Sequence, residues 1–155
     1  MNLKVWSSIA IAIALLGAGD LARAAPPPAL EPIEGRVIWV DFWASWCVPC
    51  RRSFPWLNSM HRKYGPVGLQ IIAVNLDKDR ALADAFLAEV PAEFGLRFDP
   101  SAALAQEFGV QAMPSSYLVA ADGRVLESHF GFTTAEATDY ERAIEAALAR
   151  SPEKQ

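Results

Sequence analysis

The sequence has few side chains that can bind a metal: its 155 residues include two cysteines and two histidines. The cysteines would supply only half of a zinc site, which needs four ligands. The histidines, His61 and His129, lack the spacing that would complete such a site. No nucleotide-binding or haem-attachment motif is visible in the sequence either. We therefore predict that the protein uses no metal and no other cofactor.

Basic residues are not in excess, which argues against binding to nucleic acid. The chain has 14 Lys and Arg residues against 18 Asp and Glu residues, a net charge of −4 at pH 7. Nucleic acids and anionic membranes attract proteins through clustered positive charge. We predict that neither is a partner. We also expect a monomer, with a hydrophobic content of 52% that is ample for one core.

The apolar run near the N-terminus is too short to cross a bilayer. It covers residues 5–19, whereas a membrane-spanning helix needs about 20 apolar residues. Lys4 precedes the run, and Ala22 and Ala24 provide small residues at positions −3 and −1 of a cleavage site. Residues 1–24 are therefore predicted to be a secretory signal peptide. An uncleaved membrane anchor is the alternative.

Export would place the protein in the periplasm, where disulfides persist, whereas the cytosol keeps thiols reduced. Removal of residues 1–24 leaves 12 basic and 17 acidic residues, a net charge of −5. Residues 25–34, which include four prolines, are predicted to form a stiff leader before the folded domain of residues 35–150. Residues 151–155 are polar and are predicted to be a disordered tail.

The two cysteines occur in the segment Trp46-Cys47-Val48-Pro49-Cys50, where an apolar strand passes into a helix. Two intervening residues on the first helical turn bring the sulfurs within bonding distance. A disulfide that closes so short a loop adds little stability to the fold. A helix N-terminus also favours thiolate over thiol. We therefore predict redox chemistry, with an accessible Cys47 as the nucleophile and Cys50 as the resolving thiol. A structural disulfide and a metal site are the alternatives.

Asp41 lies inside the strand that precedes the cysteines. This strand, residues 36–43, is rich in β-branched and aromatic residues with little alternation, which indicates burial on both faces. A carboxyl group in such a strand is expensive to ionise, so we expect its pKa to be raised. Asp41 could then exchange a proton with Cys50 when that thiol attacks. The alternative is a buried carboxyl group that backbone or water satisfies.

The chain after Cys50 alternates between helical and strand patterns. The predicted elements are a helix to about residue 64, a strand at 69–75, a helix to about residue 90, a strand at 96–98, a short helix, a strand after Pro114, a strand at 125–130 and a last helix. The strand–helix–strand order implies a parallel pair. Asp122-Gly123 predicts an antiparallel hairpin, and Thr133 with Glu136 predicts a cap for the last helix.

For two of the helices, the sequence also predicts the capping residues and the buried side chains. The second helix should be capped by Asp77 or Asp79. The residues expected on its inner face are Leu82, Ala85, Phe86 and Val90. The short helix should have Asp99 as its N-cap and Pro100 as its first residue, and it should bury Leu104 and Phe108.

The order of elements and several motifs resemble the thioredoxin family. Residues 41–50 are similar to the thioredoxin active-site segment, and Pro55 stands where thioredoxins have a proline in the following helix. Residues 113–118 resemble the family's cis-proline strand, and Gly131 is similar to the glycine near its last strand. The elements between residues 77 and 109, with the export signal, resemble the TlpA/ResA branch of exported thiol:disulfide oxidoreductases. The resemblance implies an α/β thioredoxin fold, with a central mixed sheet flanked by helices and an αβ(α) insertion.

The resemblance also implies how substrates bind. Sequence statistics alone favour a trans bond before Pro114, whereas thioredoxins have a cis bond there, stacked against the disulfide. The backbone of Met113 would pair with an extended substrate like an added strand. An apolar surface that substrates cover would surround Cys47, formed by Trp46, Val48 and Pro49.

The resulting functional prediction is dithiol–disulfide exchange with protein disulfides through Cys47 and Cys50. Because Val48-Pro49 offers no charge to stabilise a thiolate, a reductase is favoured over a strong oxidase. The resemblance implies disulfide-bearing protein substrates and a membrane electron donor of the DsbD/CcdA type. The alternatives are an oxidase or isomerase, a peroxide-reducing relative, and a binding or chaperone module that only keeps the fold.

Overall fold

The computed structural model describes residues 36–151. The predicted signal peptide, the leader and residues 152–155 of the predicted tail lie outside the described residues, so they stay predictions. Among the residues from 36 to 151, no helix is long and apolar enough to cross a membrane.

Five strands form one mixed sheet with β1 at its centre. They are β1 (Val37–Trp43), β2 (Leu69–Asn75), β3 (Gly95–Phe98), β4 (Ser115–Val119) and β5 (Val125–Phe130). Their order across the sheet is β3-β2-β1-β4-β5. β1 is parallel to β2 and β2 to β3, whereas β4 is antiparallel to both β1 and β5. The central strand carries Asp41 into the middle of the sheet.

Helices connect the strands and cover the sheet. They are α1 (Val48–Tyr64), α2 (Arg80–Glu89), α3 (Ala103–Glu107) and α4 (Ala137–Arg150), with a 3-10 turn at Gly65–Val67. α1 ends where the sequence predicts, because Pro66 cannot continue an α-helix. α2, β3 and α3 lie between β2 and β4 in the chain and form the predicted αβ(α) insertion.

Both faces of the sheet are buried, and the alternating side chains of β1 enter two separate cores. The residues of β1 that enter the first core are Val37, Trp39 and Trp43, and those that enter the second are Ile38, Val40 and Phe42. The first core also contains Cys47 and residues of α1 and α4, including Cys50. Since Asp41 alternates with Trp39 and Trp43, the pleat places it on the face of the sheet that carries the cysteines.

The inner face of α2 differs from the prediction. Leu82 and Ala85 were expected inside, but both are exposed, Leu82 by 51%. Phe86 is buried as predicted, and Ala83 is buried in place of Leu82 and Ala85. The ring of Phe86 packs 4.6 Å from that of Trp43, measured between centroids. The prediction was wrong because helical periodicity places either residue 82 or residue 83 beside Phe86, and tertiary contacts decide between them.

α3 begins later than the sequence predicts. The carboxylate of Asp99 does cap it, since it accepts hydrogen bonds from the backbone N–H groups of Ala103 and Leu104 at 3.0 and 2.9 Å. The helix starts at Ala103, however, and its backbone N-cap residue is Ala102 in the left-handed conformation, with φ of 57°. Pro100 therefore belongs to the preceding turn, which the Asp99 side chain spans.

Candidate active site

The junction between β1 and α1 brings the two cysteines together. Cys47 is the N-cap residue of α1, with an extended backbone at φ −80° and ψ 100°. Its Sγ accepts a hydrogen bond from the backbone N–H of Cys50 at 3.3 Å. The two residues form a disulfide with an S–S distance of 2.06 Å and a Cα–Cα distance of 5.3 Å. The predicted pair therefore lies at a helix N-terminus.

The start of α1 favours negative charge on the Cys47 sulfur. The positive end of the helix macrodipole lies at this end of α1, and the backbone N–H of Cys50 donates to the sulfur. The first turn contains no acidic residue, and Arg51 and Arg52 follow Cys50. Arg51 is paired with Glu89 at 2.7 Å, which offsets part of its charge. These features stabilise the thiolate of Cys47 once the disulfide is reduced.

The disulfide is more covered than the sequence predicts. Cys47 keeps 3% of its surface exposed and Cys50 none. The neighbours of Cys47 in the chain are the exposed residues: Trp46 by 68% and Val48 by 64%, while Pro49 is half-buried. The prediction of a freely accessible Cys47 is therefore wrong for the disulfide form, because both cysteines pack into the first core.

Asp41 is a buried carboxyl group with an unusual proton affinity. The Ser116 hydroxyl donates a hydrogen bond of 2.6 Å to its Oδ1, and Oδ2 has no hydrogen-bond partner among residues 36–151. Burial raises the pKa of Asp41 from its ordinary value of 3.8 to about 7, and the side chain of Ser116 and, to a smaller extent, that of Trp39 oppose the rise. The direction agrees with the expectation from the sequence. Such a group can take up and release a proton near neutral pH.

The loop before β4 contains the predicted proline. The Met113–Pro114 peptide bond is cis, as the resemblance implies, and not trans, as sequence statistics favour. Met113 is partly buried against the core that contains the disulfide. Ser115 Oγ donates to the carbonyl of Ala112 at 2.6 Å, and the N–H of Gly131 donates to the carbonyl of Pro114 at 2.8 Å. These bonds fix the loop to the start of β4 and the end of β5.

A carboxylate that sequence reasoning treated only as a helix cap holds the turn before Cys47. Asp77 accepts hydrogen bonds from the backbone N–H and the hydroxyl of Ser45 at 2.8 and 2.9 Å, and one from the Asn75 amide at 2.8 Å. Asp79, not Asp77, caps α2. One signal was available: Ser45 and Asp77 each stand two residues beyond a parallel strand, and the ends of parallel strands meet at one edge of a sheet.

The redoxin family model matches residues 29–144. The chain belongs to the redoxin family. The thiol-disulfide oxidoreductase ResA of Bacillus thuringiensis (strain Al Hakam) is 30% identical to this redoxin over 107 residues, which are 69% of this chain and 62% of that protein. The redoxin thus spans less than two thirds of the length of that relative.

Solved structures are similar to this redoxin as well. A protein assigned as thiol:disulfide interchange protein DsbE from Chlorobium tepidum is 50% identical, with a TM-score of 0.72 over 74% of this chain and 81% of that one. StoA from Bacillus subtilis, at 24% identity, shares the fold, with a TM-score of 0.62 over 70% of this chain and 84% of that one. These likenesses confirm the predicted thioredoxin-like fold and the resemblance to the TlpA/ResA type.

We expect the contacts of Asp77 to stabilise the redoxin by fixing the turn at Ser45. Asp77→Asn removes an acceptor from a buried network, so it should lower the free energy of unfolding by about 1–3 kcal/mol. Urea unfolding of the oxidised protein measures this loss. The matched control is Asp84→Asn, because Asp84 is exposed and pairs with Arg80 four residues away. The control should lose less than about 0.5 kcal/mol, and equal losses in the two variants would contradict the role of Asp77.

Proposed function

We propose that this redoxin is a thiol:disulfide oxidoreductase that works mainly as a reductase of protein disulfides outside the cytoplasm. The observation that carries the proposal is the Cys47–Cys50 disulfide at the N-terminus of α1. A loop with a cis bond before Pro114 and a buried Asp41 accompany it on a thioredoxin-like fold. A structural disulfide is disfavoured, since so short a loop restricts the unfolded chain very little.

The reaction moves two electrons from the enzyme dithiol to the substrate disulfide. The thiolate of Cys47 attacks one substrate sulfur, the substrate S–S bond breaks, and a mixed disulfide forms. The released substrate thiolate takes a proton from solvent. Cys50 then gives its proton to Asp41 and attacks the Sγ of Cys47, which closes the Cys47–Cys50 disulfide and releases the second substrate sulfur. A second dithiol must reduce the enzyme before the next cycle.

The substrate surface consists of apolar side chains around the disulfide. Its predicted members are Trp46, Val48, Pro49, Met113 and Pro114. Trp46 and Val48 are the exposed ones, and large exposed apolar groups that flank a reactive residue are typical of a docking surface. An extended substrate segment would pair with the backbone of Met113, with its disulfide held over Cys47.

Reduction is favoured over oxidation by the surroundings of Cys47. Strong oxidants stabilise the thiolate of their reduced form with additional donors or positive charge. Here Val48 and Pro49 supply neither. Within residues 36–151, the one hydrogen bond to the Cys47 sulfur comes from the backbone N–H of Cys50. Such modest stabilisation of the thiolate is expected of a reductase, which donates electrons to its substrate.

Export rests on the sequence, and the electron donor rests on the family resemblance. The signal-like segment of residues 1–24 supports a periplasmic location, where substrates with disulfides persist. A reductase in that compartment needs electrons brought to it, and the resemblance to exported thiol:disulfide oxidoreductases supports a membrane donor of the DsbD/CcdA type as the partner that we propose.

Trapping of the mixed disulfide tests this function. Cys50→Ser should still attack insulin disulfides through Cys47, but it has no thiol to complete the reaction, so a stable enzyme–insulin adduct should accumulate. Non-reducing electrophoresis and mass spectrometry detect the adduct. The matched control is the double variant with both Cys47→Ser and Cys50→Ser, which should form none.

Thiol trapping in intact cells reports the direction of the reaction. A reductase should be found mainly with free thiols at Cys47 and Cys50. A population held mainly as the disulfide would support an oxidase instead. Failure of Cys50→Ser to form any adduct would support a binding module, and it would overturn the proposed activity.

A further inference from the structure

Three side chains from neighbouring strands form a row across the sheet. Asp41 of β1 lies directly opposite Ser116 of β4, and Ser116 lies directly opposite His129 of β5. Directly opposed residues point their side chains to the same face, so the row lies on the face that carries the cysteines. His129 confirms the placement, because its ring stacks 5.4 Å from that of Trp39 in the first core.

Ser116 is the member of the row that contacts the carboxyl group. Its hydroxyl donates the 2.6 Å hydrogen bond to Oδ1 of Asp41, and both residues are buried. The other carboxyl oxygen has no hydrogen-bond partner in the described part of the chain. A buried carboxylate depends strongly on each donor that it has, because a hydrogen bond to a charged group contributes more in the low-dielectric interior than in solvent. The Ser116 hydroxyl is therefore in a position to decide how readily Asp41 ionises.

We propose that Ser116 is a positioning residue that orients Asp41 and sets the pH range over which Asp41 accepts the proton of Cys50. The proposal rests on the proposed thiol–disulfide exchange and adds a determinant of its resolving step. An O–H donor stabilises the ionised carboxylate more than the neutral acid, so it keeps Asp41 available as a base near neutral pH.

Other ionisable groups lie on the elements packed on the same side of the sheet as Asp41. Cys50 lies on α1, His129 on β5 and Tyr140 on α4. Burial lowers the pKa of His129 and raises the pKa of Tyr140, so both are neutral near pH 7. Three carboxylates also act on these two groups: Glu127 and Glu136 on His129, and Glu136 and Asp139 on Tyr140. On β2 the residue opposite Asp41 is Ala73, which carries no charge. The Ser116 hydroxyl is thus the polar contact best placed to tune Asp41.

The test compares Ser116→Thr with Ser116→Val, which have the same shape and differ by a hydroxyl against a methyl group. Carbon-13 NMR of aspartate-labelled oxidised protein follows the titration of Asp41, whose signal is assigned by its loss in Asp41→Asn. Ser116→Val should raise the midpoint by about one to two pH units, the loss expected for one charge-assisted hydrogen bond. Ser116→Thr should keep the wild-type midpoint. Ser128→Ala, a change at an exposed serine on β5, is the control.

A second measurement links this titration to the reaction. Reduced protein is mixed with oxidised glutathione, and quenched-flow mass spectrometry gives the rate at which Cys50 resolves the Cys47–glutathione adduct. In Ser116→Val the pH of half-maximal rate should rise by the same amount, and the rate at pH 7.5 should fall about tenfold. Ser116→Ala provides the same comparison with a smaller side chain if the valine variant does not fold.

The outcomes separate this proposal from the proposed function. An unchanged Asp41 midpoint in both the valine and alanine variants would overturn the role of Ser116. A shifted midpoint with an unchanged pH profile of resolution would also overturn it, because Asp41 would then not be the acceptor. In either case adduct formation at Cys47 would persist, so the exchange activity itself would still stand.

Discussion

Cys47→Ser is expected to lower the rate of insulin reduction by at least about 10³-fold, because a serine hydroxyl is neither ionised nor able to form a disulfide at neutral pH. Cys47 lies at the helix N-terminus with exposed residues on both sides, whereas Cys50 is completely covered. Cys50 should therefore be unable to replace it as the attacking group. The assay follows insulin precipitation with dithiothreitol as the electron donor.

The control for Cys47→Ser is Cys50→Ser, which lacks the same disulfide but keeps the attacking thiol. Without dithiothreitol, Cys50→Ser should react once with insulin and stop at the mixed disulfide, whereas Cys47→Ser should form no adduct. Circular dichroism of both variants checks that the fold is retained. Insulin reduction by Cys47→Ser at the wild-type rate would show that the Cys47–Cys50 disulfide does not carry the chemistry, and it would overturn the proposed mechanism.

The bounds of β1, β2 and α1 could be predicted because local features of the sequence mark them. β1 and β2 are short apolar segments buried within the sheet, and Gly65-Pro66 can only end a helix. The inner face of α2 could not be predicted in the same way. Helical spacing allows both Leu82 and Ala83 beside Phe86, and packing against Trp43 selects Ala83.

The residues of the candidate site also differ in whether the sequence alone could identify them. Cys47 and Cys50 could be found because they are three residues apart, and a local spacing is visible in a sequence. Asp41 could be found because a carboxyl group stands out in an apolar strand. The partner of Asp41 could not, since Ser116 is 75 residues away and becomes its neighbour only through the pairing of β1 with β4. Asp77 and Ser45, 32 residues apart, were missed for the same reason.

Asp41 makes the stability of the fold depend on pH. Burial opposes the ionisation of its carboxyl group in the folded protein, whereas nothing opposes it in the unfolded chain. The pKa of its carboxyl group is about 7 in the folded protein and has its ordinary value of 3.8 in the unfolded chain. Below pH 3.8 both states hold the proton, and the group has no effect on stability. Between the two values the unfolded chain releases the proton and the folded protein keeps it. The free energy of unfolding therefore falls as pH rises through this range.

Asp41→Asn is expected to remove this pH-dependent loss. Each pH unit between 3.8 and about 7 costs the wild-type protein about 1.4 kcal/mol. The stability of the variant relative to wild type should therefore increase between pH 4 and pH 8 by on the order of 4 kcal/mol. The asparagine carbonyl can still accept the Ser116 hydrogen bond, and any unpaired amide donor adds a constant that does not depend on pH.

Urea unfolding of the oxidised proteins at several pH values between 4 and 8 measures this difference. Asp84→Asn is the control, because Asp84 is exposed and its difference from wild type should stay nearly constant over the same range. The disulfide is intact in all three proteins, so the titration of the thiols does not contribute. A difference between Asp41→Asn and wild type that stays flat with pH would mean that the buried carboxyl group ionises at its ordinary pKa. Asp41 could then not hold the proton of Cys50 near neutral pH, and its role in the resolving step would be lost.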